Sequence, residues 1–177
     1  RDAVLERVDA AVVTAPNVDH RTWTVAAADA GVDVLCEKPL ATTTADARAM
    51  VRAADRAGVA LGVAMPVRFS EPARRAKAAL ERGELGDLRA VVGTNLLTKM
   101  AGGTWITDPE AAGGGAVMDH TVHVVDLVRW LTGQEVAEVY AETGTRFADL
   151  PVEDVAVLSM ALEDGTPLTH DGSWRQP

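Results

Sequence analysis

Cysteine occurs once in this chain of 177 residues, at position 36. No intrachain disulfide is possible, and a domain of this size needs none. Cys36 ends an apolar run, the usual setting of a buried structural thiol, and the composition suits the cytoplasm. Basic charge is also scarce, with 17 Lys and Arg against 26 Asp and Glu, a net charge of -9. Neutralising phosphates takes clustered Lys and Arg, so nucleic acid is a poor partner, and an anionic membrane surface is disfavoured for the same reason. Arg74, Arg75 and Lys77 are the densest basic group and read as the solvated face of a helix. No apolar run approaches the roughly 18 residues of a membrane span, and no signal peptide is visible.

What is present is ordinary globular material, 47% hydrophobic and 24% charged,. Val8 to Thr14 is a short apolar run closed by Ala15-Pro16-Asn17, the pattern of a strand buried on both faces of a parallel sheet. His20 to Ala30 is helical and stopped by Gly31. Val32 to Cys36 is a second strand. Thr43 with Asp46 forms a capping box that opens a helix to Ala57, ended by Gly58. Val59 to Met65 is a third strand. Strand, helix, strand, helix, strand implies a parallel sheet with right-handed crossovers.

The pattern then changes. Ser70 caps a helix that Gly83 ends. Leu88 to Thr98 is strand-like, Thr104 to Gly115 reads as loop, and Ala116 to Leu131 is a long helix stopped by Gly133. Strands follow at 136–145, 155–162 and 167–174, the last two joined by a turn with Asp164-Gly165 as its signal. The expected fold is therefore α/β, the C-terminal part of a Rossmann sheet over residues 1–66. An α+β substrate domain with an open, mainly antiparallel sheet follows over 67–177. Both ends of the sequence read as cut, as in a piece of a longer protein.

Two segments could carry chemistry. Cys36-Glu37-Lys38-Pro39 lies at the carboxyl end of a parallel strand, where open α/β sheets bind ligands. Lysine occurs three times in the chain, and Lys38 sits at that edge. The following proline disfavours helical geometry there and permits a cis bond. The bland alternative is a solvated lysine paired with Glu37. The second segment runs from Gly113-Gly114-Gly115 to Asp126. By helical spacing Asp119, His123, Asp126 and Trp130 share one face of an otherwise apolar helix. A buried carboxylate and imidazole are costly unless paired or used, and an acid beside a histidine can fix its tautomer for general-base work. A purely structural Asp–His pair would show the same pattern. His120 lies off the stripe and reads as a local contact. Thr14-Ala15-Pro16-Asn17 with His20 is a weaker signal at another strand end, where a helix N-terminus could face a cofactor.

Together the stretches VDAAVVTAPNVDH, GVDVLCEKPLATT, Val67-Arg68-Phe69, GELGDLRAV, Trp105 with Asp108-Pro109, GGGAVMDHTVHVVDLVRWLTG and VEDVAVLSMALEDGT closely resemble the glucose–fructose oxidoreductase/inositol dehydrogenase (Gfo/Idh/MocA) family, in that family's order. The resemblance implies NAD or NADP as cofactor and a sugar or cyclitol as substrate. It implies Lys38, Asp119 and His123 as catalytic residues. It sets Thr14, Pro16, Asn17, His20, Glu37, Lys38 and Pro39 at the cofactor-facing edge, and implies a homo-oligomer for the full-length protein. The family's Gly-rich dinucleotide loop would precede Arg1, and Thr121 stands where the family usually has glycine. Two other readings remain: a metal-dependent hydrolase using Asp119, His120, His123 and Asp126, and a non-catalytic binding protein that keeps the fold.

Overall fold

The computed structural model describes residues 2–98 and 102–174. The chain forms two compact units. One comprises residues 1–64 and 103–114, the other 65–102 and 115–177. No described helix is long and apolar enough to cross a membrane.

In the first unit, after a single helical turn α1 (Asp2–Leu5), come β1 (Ala10–Val13), α2 (His20–Asp29), β2 (Asp33–Cys36), α3 (Thr44–Ala57) and β3 (Leu61–Val63). The strands are parallel and lie in sequence order. Val13, Val34 and Cys36 point inward and pack with Ala27, Val32 and Met50. Their neighbours do not: Val12 is 66% exposed and Leu35 44%. The expectation of strands buried on both faces is corrected here. Crossovers of one hand between strands laid down in order bring successive helices to the same side, so the other face stays open. The caps are local and follow the sequence. The Thr43 hydroxyl accepts from Asp46 N at 3.1 Å and donates to the Asp46 carboxylate at 2.8 Å. Gly58 closes α3 with φ 70°.

Residues 103–114 return to this unit. They hold a 3₁₀ turn (Trp105–Thr107) and the short helix α5 (Pro109–Ala112), where the sequence suggested only loop. Asp108 caps α5 by accepting from Glu110 N and Ala111 N. Such four-residue pieces are too short to leave a periodic signature.

The second unit contains α4 (Glu71–Glu81), β4 (Val91–Thr94), α6 (Val122–Thr132), β5 (Val136–Gly144), β6 (Val155–Leu162) and β7 (Pro167–Asp171). The sheet order is β4-β7-β6-β5. β5, β6 and β7 pair antiparallel, while β4 joins β7 in parallel and makes the sheet mixed. Gly165 takes φ 84° in the β6–β7 turn, with Thr166 N donating to Asp164 at 2.9 Å. The helix expected from Ala116 opens instead as a π turn, Val117–Thr121, and becomes α-helical at Val122.

Candidate functional site

The first unit brings its candidates to the carboxyl ends of β1 and β2. Glu37 N donates to Val13 O at 2.9 Å, which carries the pairing one step beyond the strands. Lys38 N donates to Glu37 Oε2 at 3.0 Å, and the Lys38–Pro39 bond is cis. Thr14 is exposed, Pro16, Glu37 and Lys38 are half-buried, and Asn17, His20 and Pro39 are buried. Asn17 Nδ2 donates to Ala112 O at 2.9 Å and ties α5 to the β1–α2 loop. Gly113 follows with φ 81°, and a Cβ there would come within 2.7 Å of the Thr42 Cβ. His20 is 1% exposed, and its two ring nitrogens each lie 2.9 Å from a backbone carbonyl, Nδ1 from Pro39 O and Nε2 from Ala15 O. The Cys36 thiol is fully buried. Burial pushes its pKa up, a contact with Thr24 works against that, and the charge of Glu37 adds to it.

In the second unit the π turn holds Asp119 and the first turn of α6 holds His123. Glu153 fastens the start of this segment. Its Oε1 accepts from Gly115 N at 2.9 Å and Val117 N at 3.1 Å, and its carbonyl accepts from Ala116 N at 2.9 Å. The chains run so close that a Cβ on Gly115 would lie 2.0 Å from Glu153 O. A carboxylate on these N–H groups also favours the positive end of the helix dipole.

Asp119 Oδ2 accepts from Trp174 Nε1 at 3.2 Å and lies 3.2 Å from His120 Nε2. His120 is buried, donates from Nδ1 to Gly172 O at 2.6 Å, and meets Trp174 edge-on with centroids 6.3 Å apart. His120 is thus a neighbour of Asp119, as adjacent residues in a π turn allow, and also a long-range link to the end of β7. Asp126, expected on the same functional stripe, is 6% exposed and takes a two-pronged ion pair from Arg68, with Nε donating to Oδ2 at 2.7 Å and Nη2 to Oδ1. Lys77 Nζ lies 5.8 Å from the Trp130 ring centroid. Asp126 and Trp130 therefore fasten α6 to its neighbours. Strict four-and-three spacing presumes a regular α-helix, and the π turn takes Asp119 out of that register. Among the described residues no three His, Cys, Asp or Glu side chains gather to hold a metal ion. Glu153, Gly172 and Trp174 lie more than 30 positions from the groups they contact, and no local pattern announces them.

Residues 1–65 match the oxidoreductase family model with an NAD-binding Rossmann fold, and residues 73–177 match the GFO/IDH/MocA C-terminal domain. The chain belongs to the GFO/IDH/MocA oxidoreductase family. It is 40% identical over 137 residues to a 1,5-anhydro-D-fructose reductase of Ensifer adhaerens, covering 76% of this chain and 40% of that protein. It is 30% identical over 173 residues to a myo-inositol 2-dehydrogenase of Thermotoga maritima, covering 95% and 50%. Among solved structures, an aldose-aldose oxidoreductase from Caulobacter crescentus complexed with glycerol superposes with a TM-score of 0.92 at 32% identity, over 98% of this chain and 53% of that one. The WlbA dehydrogenase of Bordetella pertussis, in complex with NADH and UDP-GlcNAcA, gives 0.89 at 31%, over 98% and 51%. The chain spans about half the length of the curated relatives it matches.

Proposed function

We propose that the full-length protein is an NAD(P)-dependent dehydrogenase acting on a hydroxyl-bearing carbon of a sugar, cyclitol or related polyol. The observation that carries this reading is Lys38, a half-buried lysine at the carboxyl end of a parallel strand in a domain of the NAD-binding family,. The edge chemistry fits a nicotinamide cofactor: an exposed threonine and a half-buried glutamate and lysine set polar groups at the strand ends, where a flat, polar ring would lie. Thr14, Pro16, Asn17, His20, Glu37, Lys38 and Pro39 would form the edge that meets it.

When bound, the cofactor supplies the acceptor for the hydride. The chain's own residues do the rest. His123 removes the hydroxyl proton as general base. Asp119 orients His123 or holds a neighbouring substrate hydroxyl, and its Oδ2 is steadied by Trp174. Lys38 stabilises the alkoxide as it develops. Relatives that share this family are a myo-inositol 2-dehydrogenase and a levoglucosan dehydrogenase, which supports a polyhydroxy substrate. We further infer a cytoplasmic homo-oligomer with no nucleic-acid or membrane partner.

The test is a panel of aldoses and cyclitols with NAD and NADP, followed by the absorbance of the reduced cofactor, on the full-length protein. Lys38→Ala should lower kcat by about 10²–10³ while cofactor affinity stays within a few-fold. His123→Asn should lower it by about 10²–10⁴. Wild-type turnover in either variant removes that residue from the mechanism, and no turnover of any polyol by the wild type overturns the reading.

A further inference from the structure

Asp119 is held from two directions that meet at one place. Its main chain is tied through Gly115: Asp119 N donates to Gly115 O at 3.0 Å, and Gly115 N donates to Glu153 Oε1 at 2.9 Å. Its side chain is tied through Trp174, whose Nε1 donates to Asp119 Oδ2 at 3.2 Å from 55 positions away. Trp174 N in turn donates to Asp154 O at 2.8 Å. Glu153 and Asp154 are neighbours, so the backbone and the carboxylate of Asp119 are both set from the same dipeptide. That dipeptide is itself fixed. Asp154 is 1% exposed, and its carboxylate accepts from Arg146 N, Phe147 N and Ala148 N at 2.7, 2.9 and 2.8 Å.

We propose that Trp174 is a positioning residue that fixes the rotation of the Asp119 carboxylate through its indole N–H. The role in a reaction rests on the dehydrogenase reading, whereas the tie itself does not. An indole nitrogen can only donate, so this bond runs one way. The donor is held in place: the side chain is 0% exposed, and the His120 ring meets it edge-on with centroids 6.3 Å apart. The segment that carries it lies against the start of β6, where Gly172 N donates to Ala156 O at 2.9 Å and Trp174 N follows at Asp154 O. The Asp119 side chain, by contrast, is 23% exposed. Water competes for the oxygens of such a group and lets the carboxylate turn. A buried donor on Oδ2 removes that freedom, and a group that orients a base or a substrate hydroxyl must be held in one geometry to do so.

Two measurements on the full-length protein test this. In the first, tryptophan labelled with ¹⁵N in the indole is delivered to position 174 alone by cell-free synthesis, which gives one signal and leaves Trp174 in place. Its N–H should exchange with water about tenfold faster in Asp119→Ala, as for the loss of one hydrogen bond of ordinary strength, and its proton resonance should move upfield. An unchanged signal overturns the proposal. The second is a double-mutant cycle on turnover. Trp174→Phe keeps an aromatic ring and loses the donor. It should lower kcat about tenfold, with KM for the polyol within a few-fold. In the Asp119→Ala background the same change should cost nothing further, because the two residues act as one unit. Equal losses in both backgrounds overturn the proposal, since Trp174 would then be a core residue acting without Asp119. The first measurement needs no substitution at 174, so it decides the proposal even where Trp174→Phe does not fold. If the indole signal responds while the wild type turns over no polyol, the tie stands and only the dehydrogenase reading falls.

Discussion

His170 shows how much a single buried group can say about pH. It is 1% exposed, and burial holds its pKa below the ordinary imidazole range. The Gly93 carbonyl at 3.4 Å and Asp171 work the other way, while nearby His120 adds to the depression. The unfolded chain therefore takes up a proton at higher pH than the folded one. Stability from a neutral His170 is complete above the unfolded value and is lost as pH falls through it toward the folded value. Urea denaturation between about pH 8 and pH 5, spanning the usual imidazole range, should show the wild type weakening on the acid side more steeply than His170→Gln. Equal slopes would mean that the ring is not held neutral by the fold. Lys38, Asp119 and His123 could be singled out from the sequence because they stand in short motifs. The burial of His170 and the link of His120 to Gly172 could not. They depend on β7 arriving beside the π turn from 50 residues away, and no spacing rule reaches that far.

At the scale of elements, what is local was readable. Thr43 and Ser70 cap their helices as the sequence predicts, and the glycines that end them take positive φ. These signals depend on residues within one turn of each other. The opening of the α6 segment was not readable, because its cap comes from Glu153, more than 30 residues downstream. Glu153→Ala should cost about 0.5–2 kcal/mol, as removal of other helix caps does, and should loosen the π turn that carries Asp119. Thermal unfolding checks the first effect, and amide exchange over 115–121 the second. A variant with wild-type stability and exchange would mean that water replaces the carboxylate without cost. Expecting helix from Ala116 onward was right in kind and missed the π turn, since one extra residue in a turn leaves the apolar pattern almost intact.

For the whole molecule, the classes of the two sheets follow from the order of elements, but the face left open and the position of β4 do not. Parallel pairing of β4 with β7 joins residues about 77 apart. The open face of the first sheet carries Val12 and Leu35. Beside β1, Val4, Leu5, Val12, Val13 and Trp23 line an apolar concavity of about 530 Å³. β1 is also an edge strand, and apolar edges promote association. The 177-residue chain should self-associate in sedimentation velocity, and Val12→Lys should reduce this with little change in stability, because the side chain is mostly in solvent. A monodisperse wild-type chain would show that this surface is tolerated.

The excursion of residues 103–114 matters to anyone recombining this chain with a relative. The path passes between the two units at 64/65, again at 102/103 and once more at 114/115. A chimera joined near residue 65, the natural seam on a linear map, would graft a foreign α5 under a resident Asn17, with Thr42 against whatever replaced Gly113. The exchangeable module is discontinuous. A swap that respects the fold must carry 103–114 along with 1–64, and crossover libraries built on single breakpoints would lose many clones for a reason invisible in their alignments.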